Sequence, residues 1–74
     1  MKYGAAGSAL KHGISYRNLI HLVCTADYLG TDESGLLWWI GRAPNNEEYE
    51  VAGISTDDGA IVIIHAMPMK WRRR

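Results

Sequence analysis

The chemistry this chain can offer is concentrated near its end. The apolar run Ala60-Ile61-Val62-Ile63-Ile64 leads directly into His65 and then into Lys70-Trp71-Arg72-Arg73-Arg74. Clustered Lys and Arg neutralise phosphates, and an aromatic ring among them can stack on a base. Metal-independent RNA cleavage needs a base for the 2′-hydroxyl proton, cations for the charged phosphorane and an acid for the leaving 5′-oxygen. Histidine serves in either proton-transfer role, because its unperturbed pKa is about 6.5. His65 is therefore the leading catalytic candidate, with Arg42 and Arg72 as bidentate phosphate ligands and Lys11 as a further charge. Lys70, Trp71, Arg72 and Arg73 form the candidate RNA-binding set. Each has a plainer reading: His65 as a half-buried histidine bonded to backbone, Arg42 as a strand-end cation, the arginine run as a solvated tail.

The other reactive residue types point to structural roles. His12 precedes Gly13, where a cation suits a helix C-terminus, and His21, one turn from Arg17, belongs on the wetter side of a helix. Histidines at 12, 21 and 65 with one cysteine have no zinc-ligand spacing. No metal or cofactor is expected. Glycines 4, 7 and 13 make no phosphate loop, since no strand precedes them and no Lys-Ser/Thr follows. Asp57 and Asp58 are turn formers, while Glu47, Glu48 and Glu50 suggest an exposed acidic edge. Cys24, the only cysteine, ends an apolar stretch and reads as a buried thiol. A lone cysteine also fits a reducing cytosol, and no apolar run reaches membrane-spanning length. The expectation is a cytoplasmic protein with no membrane association.

The formal net charge of zero conceals a segregated distribution. All eight acids lie between Asp27 and Asp58 with Arg42 the single cation, leaving that segment at −7 between flanks of +3 and +4. If the termini meet in space, they make one basic surface. At 74 residues the chain is one small domain with a basic tail at 70–74. Domains of this size bury only about 60% of the surface their unfolded chains expose. The apolar content of 47% nevertheless supports a packed core.

Residues 5–12 are Ala-rich and end at Gly13, which predicts a short helix with a left-handed C′ glycine. Ser15 then serves as N-cap of a second helix ending near Thr25, with Ile14 stapled to Leu19 and with Leu19, Ile20 and Val23 toward the core. Beyond Ala26 the pattern changes to strands: Tyr28-Leu29, Leu36 to Arg42, Glu48 to Ser55, and Ala60 to Met67. Pro44-Asn45-Asn46 and Asp57-Asp58-Gly59 supply turns. Trp38 and Trp39 must face opposite ways. His65 is placed on the same side as Ile61, Ile63 and Met67, and Pro68 ends the pairing. The expected fold is α+β, two N-terminal helices packed on a four-stranded antiparallel β-meander.

Three segments resemble BrnT-type toxins, the ribonuclease components of bacterial type II toxin–antitoxin pairs. Lys11-His12-Gly13-Ile14-Ser15 is similar to the family's Lys-His-Gly-aliphatic-Ser junction. Ile40-Gly41-Arg42 resembles its aliphatic-Gly-Arg strand end, and Ile63-Ile64-His65-Ala66 occupies the place of its final strand. The matches fall in family order between Lys11 and Arg74. The resemblance implies a RelE-like fold, RNA as substrate and a cognate antitoxin as partner. The chain departs from the pattern in its Gly/Ala-rich opening and in Met67-Pro68-Met69 where the family more often has arginines, and it stops where the family adds a basic C-terminal helix.

The function expected is that of a toxin acting as a metal-independent endoribonuclease that cuts mRNA. The alternative is a non-enzymatic protein-interaction module or an inactive toxin homologue. The two differ in whether Arg42 and His65 converge on one concave basic surface or instead point apart or are buried. With two helices covering one sheet face, one tryptophan is left on an open apolar face, which an antitoxin helix or a second copy of the chain would cover.

Overall fold

The computed structural model describes residues 2–10 and 13–72, with side chains through Lys70. Five strands form one mixed sheet: β1 (Lys2–Ala5), β2 (Asp27–Thr31), β3 (Leu37–Arg42), β4 (Glu48–Ser55) and β5 (Ala60–Pro68). Their order across the sheet is β1-β5-β4-β3-β2. The single described α-helix, α1 (Tyr16–Thr25), follows a 3-10 turn at Gly7–Ala9, and a second 3-10 turn, Met69–Arg72, follows β5.

This overturns the expectation of two helices on a four-stranded antiparallel meander. The β2 to β5 meander is present, but residues 2–5 add a fifth strand that pairs parallel with β5, Tyr3 opposite Ile61 and Ala5 opposite Ile63. A Gly- and Ala-rich opening has poor strand propensity, but propensity is a weak prior beside tertiary pairing. The edge of β5 offers unpaired backbone groups that β1 satisfies, while Tyr3 and Ala5 add partly buried contacts to the core. With these residues captured by the sheet, the described part of the expected first helix, residues 5–10, contains a short 3-10 turn, Gly7–Ala9, in place of an α-helix.

α1 forms as its sequence dictates. Ser15 has an extended backbone and its Oγ accepts the Asn18 N–H at 3.2 Å, an N-cap bond. Leu19, Leu22 and Val23 are buried, and Ile14 joins the same core cluster. Ile20 is only partly buried, so Leu22 takes the place that spacing assigned to it. Cys24 is exposed rather than buried. One residue beyond Val23, it has turned about 100° around the helix away from the core stripe.

The helix comes close to the sheet at Gly41. A Cβ there would lie 2.7 Å from the Ala26 Cβ and 3.2 Å from the Leu22 Cδ2. On the same face Trp39, Tyr49, Val51, Ile61, Ile63 and Ala66 complete the core.

Register shifts in β5, where Ala52 pairs with His65 but Gly53 pairs with Ile63. Ile64 is the extra residue of a bulge, and the bulge exchanges the faces of the strand. Ile61 and Ile63 point into the core before it, as does Ala66 after it. His65 and Met67, paired with Ala52 and Glu50, therefore lie on the face away from the helix. His65 does not share a row with Ile61 and Ile63 as simple alternation required. Ser8 supports the irregularity: its hydroxyl donates to the Ile64 carbonyl at 2.8 Å, and the Ala6 N–H donates to the Ile63 carbonyl at 2.9 Å.

Candidate functional site on the open sheet face

Three neighbouring strands present Trp38, Ala52 and His65 in one row across the face opposite α1, with Ile40, Glu50 and Met67 in the next. His65 Nε2 lies 3.0 Å from Glu50 Oε2, with 35% of the histidine side chain and 10% of the glutamate side chain exposed. Glu50 is thus buried, not part of an exposed acidic edge. A desolvated carboxylate requires polar partners, and the imidazole is one of them. An ionised carboxylate only accepts hydrogen bonds. Against ionised Glu50 the histidine Nε2 carries the hydrogen, and Nδ1 is left as the nitrogen able to trade a proton.

Trp38 flanks the pair. Its ring meets that of His65 edge-on, with centroids 5.9 Å apart and planes at 65°. The indole Nε1–H donates to Asp32 Oδ2 at 2.9 Å. Asp32 Oδ1 accepts from the Ser34 N–H, the Ser34 hydroxyl and the Leu36 N–H, so one carboxylate organises the whole β2–β3 turn. The indole bond, then the Ser34 hydroxyl, hold its pKa down at about 2 against desolvation.

Arg42 occupies the same face by strand alternation, opposite Glu48. Its guanidinium donates to the Asn46 carbonyl of the β3–β4 turn at 3.0 Å. His65 stands two strands away and four residues along, about 16 Å from it between backbones. The two do not converge. Lys11 lies outside the described residues, as does Arg73. Trp71 and Arg72 lie in the 3-10 turn after β5, with their side chains outside the described set. Lys70 does not stand free for a phosphate: its Nζ is 3.0 Å from Glu47 Oε2, across a shallow cleft of about 210 Å³ lined by Glu47, Glu48, Met69 and Lys70.

Among the described residues no three His, Cys, Asp or Glu side chains gather as metal ligands. No described helix is long and apolar enough to cross a membrane. Sequence reasoning singled out His65 as a candidate but did not place Glu50 and Trp38 beside it. The signal was obscured by the bulge, which changes which residues of β5 share a face with β4.

Comparison with protein-family models, curated proteins and solved structures finds no match to this chain.

Proposed function

We propose that the open sheet face is the working surface of this chain and that it cleaves RNA without a metal, as the toxin component of a toxin–antitoxin pair. The observation that carries this reading is the His65–Glu50 pair, an imidazole held by a buried carboxylate on a face not covered by α1. In this role His65 takes the 2′-hydroxyl proton as that oxygen attacks the adjacent phosphorus, the bond from phosphorus to the 5′-oxygen breaks and the departing oxygen takes a proton from water, while Glu50 orients the ring and stabilises the imidazolium that forms. The resemblance of the Lys11, Arg42 and His65 segments to BrnT-type toxins agrees with it. Lys11 and the tail residues Arg72 and Arg73 remain the cations proposed to hold phosphate.

A second reading, a non-enzymatic protein-interaction module, is favoured by Arg42. Its guanidinium is committed to the β3–β4 turn rather than directed at His65. The face it borders also carries half-buried Trp38, Ile40 and Met67 and the exposed Ile54.

Expression of the chain alone separates the two. The ribonuclease reading expects slowed growth and new cuts in total RNA, both relieved by His65→Ala at equal protein level. Normal growth and intact RNA with verified folded protein would replace it with the interaction module.

A further inference from the structure

We propose that Trp38 is the stacking platform for a nucleobase of single-stranded RNA, placing that nucleotide beside His65; this rests on the RNA-cleaving reading of the open face. Trp71 was the ring expected from sequence to stack a base. It follows β5, whereas Trp38 touches the imidazole directly.

Trp39 fills the core on one side of β3, while Trp38 on the other side is only half-buried. Its ring also has two partners. Asp32 takes the indole N–H at 2.9 Å, and His65 meets the ring at 5.9 Å. Because Asp32 is in turn fixed by the amides of Ser34 and Leu36, the indole is tied to a formed turn instead of a mobile side chain. A ring already ordered loses little freedom when a base is laid on it. Stacking accepts any base, since every base has a π-face. A base on Trp38 carries its ribose alongside the neighbouring imidazole, where the 2′-hydroxyl proton must go. The platform thereby positions the nucleotide for His65 without itself exchanging a proton.

The test uses a short 2′-O-methyl oligonucleotide, which cannot be cleaved, with binding followed by fluorescence anisotropy at fixed salt for the wild type, Trp38→Phe and Trp38→Leu. Trp38→Leu is expected to weaken binding by about five- to a hundred-fold, the range found for loss of one base–aromatic stack, with Trp38→Phe retaining most of the affinity. Oligonucleotide should also quench the tryptophan fluorescence of the wild type more than that of Trp38→Phe. Equal affinity of wild type and Trp38→Leu would overturn the proposal, as would a folded wild type that binds no oligonucleotide. Loss of self-association or of a protein partner in Trp38→Leu with RNA affinity intact would likewise overturn it and assign the ring to a protein interface. If Trp38→Leu does not fold, quenching unchanged by Trp38→Phe overturns it instead. Loss of cleavage in His65→Ala with unaltered oligonucleotide binding in Trp38→Leu would leave the catalytic reading standing without the platform. Binding that depends on Trp38 in a chain that never cleaves RNA would do the reverse.

Discussion

Trp38 and His65 stand on strands that flank β4, yet their ring centroids are only 5.9 Å apart. Strands two apart in a sheet are separated by about 10 Å, so the rings approach one another across β4 more closely than their backbones do. Between them lies Ala52, opposite both residues and wholly buried although it belongs to the open face. A methyl group is small enough to let the rings close over it. Ala52→Leu should hold them apart and cost about 1–3 kcal/mol through overpacking. Under the ribonuclease reading it should reduce cleavage further than the loss of folded protein accounts for. Urea denaturation and cleavage measured on the same preparations check this, and an Ala52→Leu protein with unchanged stability would show that the rings do not enclose the site.

Gly41 marks the place where helix and sheet touch. With a Cβ built there only 2.7 Å from that of Ala26, Gly41→Ala must push α1 off β3. The expected loss is about 1–3 kcal/mol in urea unfolding. The glycine of the Ile40-Gly41-Arg42 segment is thus explained by packing, independently of any role for Arg42.

Acid should act through Asp32. Its pKa is held at about 2, against an ordinary 3.8, by the Trp38 indole first and the Ser34 hydroxyl next. A carboxylate depressed in the folded state contributes stability above its unfolded value and loses it as pH falls through the folded one. The chain should therefore lose stability from about pH 4 down to about pH 2, with a shallower dependence in Asp32→Asn. Urea midpoints across that window test it, and identical slopes in the two proteins would remove Asp32 as the cause.

The tail offers an electrostatic test. Deleting residues 70–74 removes four cations, and if they contact RNA the salt slope of binding should shrink by up to about 0.7 for each lost phosphate contact. Lys70 is already paired with Glu47, an exposed bridge of the kind that adds little stability. Glu47→Gln should accordingly leave the unfolding free energy within about 1 kcal/mol while raising RNA affinity slightly. An unchanged salt slope after the deletion would identify the tail as solvated.

Local signals made much of the fold legible. The Ser15 cap, the end of α1 at Thr25, the extent of β4 and the turns at Asn46 and Gly59, both with positive φ, follow from residue types within a few positions of one another. What escaped depends on contacts distant in sequence. Lys2–Ala5 becomes a strand only because β5 offers an edge nearly sixty residues away. The bulge at Ile64 leaves no mark on alternation, since β5 is apolar on both sides, and it decides that His65 leaves the core row. Glu50 resembled its acidic neighbours in sequence, and only the register that brings it near His65 distinguishes it.

The most direct test of the central claim is the chemistry of RNA ends made by the purified chain in excess chelator. New 2′,3′-cyclic phosphate ends are expected, formed about 10²–10⁴-fold more slowly by His65→Ala and more slowly also by Glu50→Gln. Cleavage at the same rate by wild type and His65→Ala, or no cleavage by a folded wild-type chain, would contradict it.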